Sequence, residues 1–172
     1  MKIYLLTFIL IILTFSVYSQ SRCNCEAIID WQYGGQVYIY DMPNGQVNDS
    51  IANDSINGDF LIVRITDIQK DYFKVTLQSS FAETQKRGWI KKANYIGIYA
   101  RNYSDDVKLE LYSQPDKTSK VESIVNEWIQ NLYVIVDCKD YWVKVKMTSN
   151  NKRYTGWLEK EMQCANPYTT CN

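Results

Sequence analysis

The residues able to do chemistry in this chain are few in kind. There is no histidine. A neutral-pH imidazole base, a histidine metal ligand and any Ser-His or Cys-His pair are therefore excluded. Cysteine comes next: Cys23, Cys25, Cys138, Cys164 and Cys171. A nucleophilic thiol needs a base to activate it, and the sequence offers none of the usual kind. Cys23-Asn24-Cys25 is too tight for ordinary zinc spacing, which leaves two or more residues between cysteines. Structural disulfides are the favoured reading. Cys164 with Cys171 would staple the tail, and Cys23 or Cys25 with Cys138 would tie the N-terminal segment to the second half. One thiol is left over. No metal and no cofactor are expected.

Asp71 and Asp140 stand at matching turns. Glycosidase chemistry needs two carboxyls facing each other across one cleft, and the pattern supplies one per half. Their expected task is to accept hydrogen bonds from turn amides. The chain is rich in rings, with 14 Tyr, 5 Trp and 5 Phe. Most should fill small cores, and Trp89, Trp157, Trp142 and Phe73 are the core candidates. Tyr40, Tyr72, Tyr112 and Tyr141 each adjoin a turn. They are the candidates for ligand binding, because a phenol offers a flat apolar face and a polar tip to a sugar ring or an extended peptide.

The elements that must position these residues are strands. "GQVYIYDMPNG" reads as a strand running into a turn, and "FLIVRITDIQKDYFKVTLQ" as two strands around a turn near Gln69-Lys70-Asp71. "QVNDSIANDSINGD" is a loop by composition. Helical spacing is present only in "SKVESIVNEWIQNL", and strand followed by loop is the favoured reading there. The first residues, "MKIYLLTFILIILTFSVYSQS", have the form of an export signal. Leu5 to Val17 is short for a bilayer core of roughly 30 Å, so cleavage after Ser19 is expected rather than a retained anchor. The whole chain carries 19 basic and 19 acidic residues. Neither half shows a single-sign field, which argues against nucleic acid as a partner and against docking on an anionic membrane.

The chain also repeats itself. Tyr40-Asp-Met-Pro43 resembles Tyr112-Ser-Gln-Pro115. "KDYFKV" from Lys70 resembles "KDYWVKV" from Lys139. Gly88-Trp89-Ile90 resembles Gly156-Trp157-Leu158. Three markers in the same order point to a duplicated β unit. The expected organisation is a leader over 1–19, an N-terminal segment over 20–34, one unit over 35–96, a connection over 97–105, a second unit over 106–163 and a tail over 164–172. Alternation in "ANYIGIYA" suggests a strand shared by both units.

The order of these markers resembles the bacterial SH3-like domain family, whose members run from a strand with a Pro turn through an aromatic strand to a closing Gly-Trp-aliphatic. The resemblance implies an all-β protein of two tandem SH3-like small β-barrels, packed against each other. It also implies an exported protein, periplasmic or secreted, that attaches to cell-wall peptidoglycan or to an envelope protein or peptide. The leader ending in Ser-Gln resembles those of exported Bacteroidetes proteins. Asp49-Ser50-Ile51 and Asp54-Ser55-Ile56 resemble an O-glycosylation acceptor motif of that group. The expected function is non-catalytic binding or scaffolding. An inhibitor of a secreted hydrolase and a carboxylate-based wall hydrolase are the alternatives.

Overall fold

A computed structural model describes residues 23–81, 83–103, 107–168 and 171. The expected leader lies outside them. Ten strands form two sets of five. The first set is β2 (Val37–Tyr40), β3 (Val47–Ile51), β4 (Leu61–Gln69), β5 (Tyr72–Ser79) and β6 (Gln85–Lys91). The second is β8 (Leu109–Tyr112), β9 (Val121–Val125), β10 (Tyr133–Lys139), β11 (Trp142–Ser149) and β12 (Lys152–Leu158). Three further strands come from outside the repeated stretches: β1 (Cys25–Ile29), β7 (Ile96–Ala100) and β13 (Gln163–Cys164). A 3-10 turn, Lys160–Met162, precedes the last.

Period-two patterning makes the strands. In β4, Leu61, Val63 and Ile65 point inward while Arg64 and Thr66 face solvent. In β11, Val143, Val145 and Met147 are buried. Successive side chains of a strand take opposite faces, so each strand brings one apolar row to the core. The turns carry their own chemistry. Lys70 and Asp140 adopt left-handed backbone, with φ of 47° and 54°. Asn150 and Asn151 do so together, at 48° and 61°, and close the β11–β12 hairpin with the mirror-image turn that a right-handed strand twist favours.

The sets share one order. The first runs β3-β2-β6-β5-β4 and the second β9-β8-β12-β11-β10. Both carry a register shift in the long hairpin, between Ile65 and Asp67 and between Ile135 and Asp137. Both place a glycine where the third hairpin strand crosses its neighbour. A Cβ on Gly88 would come within 2.9 Å of the Tyr40 carbonyl oxygen, and one on Gly156 within 3.0 Å of that of Tyr112. These approaches explain Gly-Trp in each half, because no side chain fits there.

The two sets are not two barrels. β1 pairs antiparallel with β4, and β7 pairs with both β1 and β10. One continuous antiparallel sheet results, with β3 and β9 at its two ends and β13 attached beside β7. The expected pair of SH3-like barrels is therefore overturned, and the resemblance to that family falls with it. The cause lies in the N-terminal segment and the connection, which each supply a strand. Their backbone amides take up the edges of β4 and β10. An edge so occupied is not available to close a small barrel. The core is correspondingly single. It runs from Ile39, Phe73 and Ile90 through Ala27, Ile96 and Ile98 at the seam to Leu111, Val143 and Leu158.

Candidate binding clefts at the seam

The sheet register moves one of the sequence markers. Gln69 pairs with Tyr72, and Lys139 pairs with Trp142. Asp67 pairs with Lys74, and Asp137 with Lys144. The counterpart of Tyr72 is therefore Trp142, and the counterpart of Asp71 is Tyr141. Matching "KDY" to "KDY" is off by one residue. The consequence is physical. Tyr72 is 3% exposed, whereas Tyr141 sits in the turn at 47%. Tyr40 meets Tyr72 edge-on at 5.5 Å between ring centroids, and Tyr112 meets Trp142 in the same way at 5.7 Å. These equivalent ring pairs are packing devices, each tying the first strand of the sequence unit to its central hairpin.

Of the four tyrosines expected to bind, Tyr72 and Tyr112 are buried and Tyr40 is half-buried. Burial and the Glu110 carboxylate, which accepts the Tyr112 hydroxyl at 2.8 Å, push that phenol up to about 12. Of the four core candidates, Phe73 and Trp157 are buried, while Trp89 and Trp142 are half-buried. The Asp71 and Asp140 turns present backbone carbonyls. Lys92 N–H donates to the first at 2.8 Å and Asn24 N–H to the second at 2.7 Å.

Cys23 is bonded to Cys138 and Cys164 to Cys171, with Cα separations of 5.6 and 5.5 Å. Cys25 keeps its thiol, buried against the carbonyls of Asp140 and Trp142 at 3.4 and 3.5 Å. Burial pushes it up to about 11. Such a thiol is neutral near pH 7 and a poor nucleophile. Two disulfides point to an oxidising environment outside the cytoplasm. Among the described residues no cluster of His, Cys, Asp and Glu could hold a metal ion, and no helix is long and apolar enough to cross a membrane.

Tyr38 and Phe81 are exposed within the first set, and three further exposed rings gather at the seam, on the N-terminal segment, the β9–β10 loop and the tail. Trp31, Trp128 and Tyr168 are 38%, 45% and 51% exposed. A cleft of about 120 Å³ is lined by Tyr99, Tyr103, Trp128, Gln130 and Tyr168, among others. Tyr99 and Gln130 also border a second hollow of about 320 Å³, with Asp30, Trp31 and Asn131. The two share Tyr99 and Gln130, so they adjoin as a groove beside β7.

Each wall is fixed by local bonds. The Asp30 carboxylate accepts the Gln32 N–H at 3.0 Å, and its carbonyl accepts the Tyr33 N–H at 2.8 Å and the Asn53 side-chain amide at 2.7 Å. That turn holds Trp31 outward while Tyr33 stacks on Tyr95 at 3.8 Å. Fully buried Asn102 donates to the Glu127 carbonyl at 3.1 Å and so anchors the loop that carries Trp128. Tyr103 meets Trp128 edge-on at 6.0 Å. In the tail, Asn166 Oδ1 accepts the Tyr168 N–H at 2.9 Å, and the Tyr168 ring lies 6.0 Å from Trp31 and 5.6 Å from Phe60. Burial first, and then the Asp30 charge, raise the Tyr99 hydroxyl above its ordinary pKa, so it stays a neutral donor.

Sequence reasoning missed this groove. A signal was present: Trp31, Tyr103, Trp128 and Tyr168 are rings in stretches without strand alternation and without a counterpart in the other half. Compared with known proteins, the chain matches no family model and no curated protein.

Proposed function

We propose that this is an exported, non-catalytic binding protein of the cell envelope, and that its ligand is a glycan chain laid along the seam groove. One observation carries the reading. Exposed indole and phenol rings stand beside planar amides, Gln130 and Asn131, and the Asp30 carboxylate. Sugars present apolar C–H faces and a rim of hydroxyls. Flat rings take the faces, and amides and carboxylates take the hydroxyls.

Retention of the purified protein on insoluble peptidoglycan tests the reading with an envelope glycan. Trp31→Ala and Trp128→Ala should each weaken retention about tenfold, the effect of losing an anchoring ring worth about 1.4 kcal/mol. Tyr40→Ala, away from the groove, should not. No retention of the wild type, or equal retention of all variants, overturns the proposal.

A further inference from the structure

A third hollow, of about 670 Å³, lies next to the groove and differs from it in charge. Arg64, Arg101 and Lys160 line it, and Glu26 is the acid among its lining residues. Glu26 is already taken by Arg64, at 2.9 Å. Among the described residues no carboxylate lies within ion-pair distance of Arg101 or Lys160. The Lys160 ammonium sits 4.7 Å over the Tyr141 ring. Gln163 fixes that ring's turn by donating to the Tyr141 carbonyl at 2.8 Å and to that of Leu158 at 3.0 Å. The Arg101 Nε is buried and has no hydrogen-bond partner among the described residues, and the rest of its guanidinium borders the hollow.

We infer that this hollow takes a carboxylate of the ligand, held between the Arg101 guanidinium and the Lys160 ammonium. The inference rests on the glycan reading and sharpens it to an acidic polymer. Asn166 borders both this hollow and the aromatic groove, so one chain can place a ring on Trp128 and Tyr168 and a carboxylate on the cations. A guanidinium fork matches a carboxylate in shape as well as in charge. Lys160 adds a second charge, held by the tyrosine face instead of an internal acid.

Two forms of one polymer test this: insoluble peptidoglycan with its carboxylates intact, and the same material with them converted to neutral amides by carbodiimide and ethanolamine. The wild type should hold the acidic form about tenfold more tightly. Arg101→Gln and Lys160→Gln should each reduce that preference and leave retention on the amidated form unchanged. Lys160 is exposed, so its variant guards against loss of folding. Trp128→Ala should weaken both forms alike. If the wild type holds both forms equally while Trp128→Ala still weakens both, the carboxylate inference is wrong and the glycan reading stands. If neither form is held, both fall.

Discussion

The hairpin strands of the two halves and the loops and end segments around the seam make opposite use of the same residue types. In the halves, two equivalent ring pairs meet edge-on in the packing, Tyr40 with Tyr72 and Tyr112 with Trp142. At the seam, Trp31, Trp128 and Tyr168 face outward around a groove. The halves repeat because each must solve one packing problem, with the same strand order and the same close approach at Gly88 and Gly156. The seam has no copy and owes nothing to that problem.

The sharpest test of that contrast lies in the core. Phe73 and its register counterpart Val143 are both fully buried. Phe73→Ala should cost about 3–5 kcal/mol of unfolding free energy, and Val143→Ala about 2 kcal/mol, since fewer carbons are removed. Urea titration should show one transition in every case, because one core spans both halves. Two transitions would separate the halves and break the comparison.

A second test reads the seal of the seam. The Cys25 thiol ionises in the folded protein only near pH 11, against 9.0 for its ordinary value. The folded state favours the protonated thiol. The stability this group contributes is full below about pH 9 and is lost as pH rises through about 11. At about pH 8, alkylation by iodoacetamide should be about a hundredfold slower in the native protein than in urea, from ionisation alone. Equal rates would mean that the Asp140–Trp142 turn does not cover the thiol. The smallest effect belongs to the groove: Trp31→Ala and Trp128→Ala should shift unfolding by under about 1 kcal/mol, and a larger loss would make these rings core after all.

Much of the fold was legible. Alternation around Leu61, Val63 and Ile65 announces a strand, and Asn150-Asn151 announces a turn. The partner of each strand was not. The edge of β4 carries the same amides whether it closes a barrel or pairs with β1, and side-chain patterns do not report which edge is filled. Register was hidden for a similar reason. "KDY" matches "KDY" by letter, but the left-handed residues are Lys70 and Asp140, and the backbone decides equivalence. The candidate site was legible only as composition. Counting rings does not separate Tyr72, which packs under the sheet rim, from Trp128, which a buried Asn102 holds into solvent.

The two disulfides also set how the chain answers a pull. Tension applied on either side of residues 23–171 passes from Cys23 straight to Cys138, along the strands that follow, and from Cys164 straight to Cys171. Residues 24–137, the whole first half included, lie off that line. Only the stretch from 139 to 163 can pay out length, and it unravels from β11 and β12. The molecule would answer tension as a short tether with its first half riding unloaded at the side.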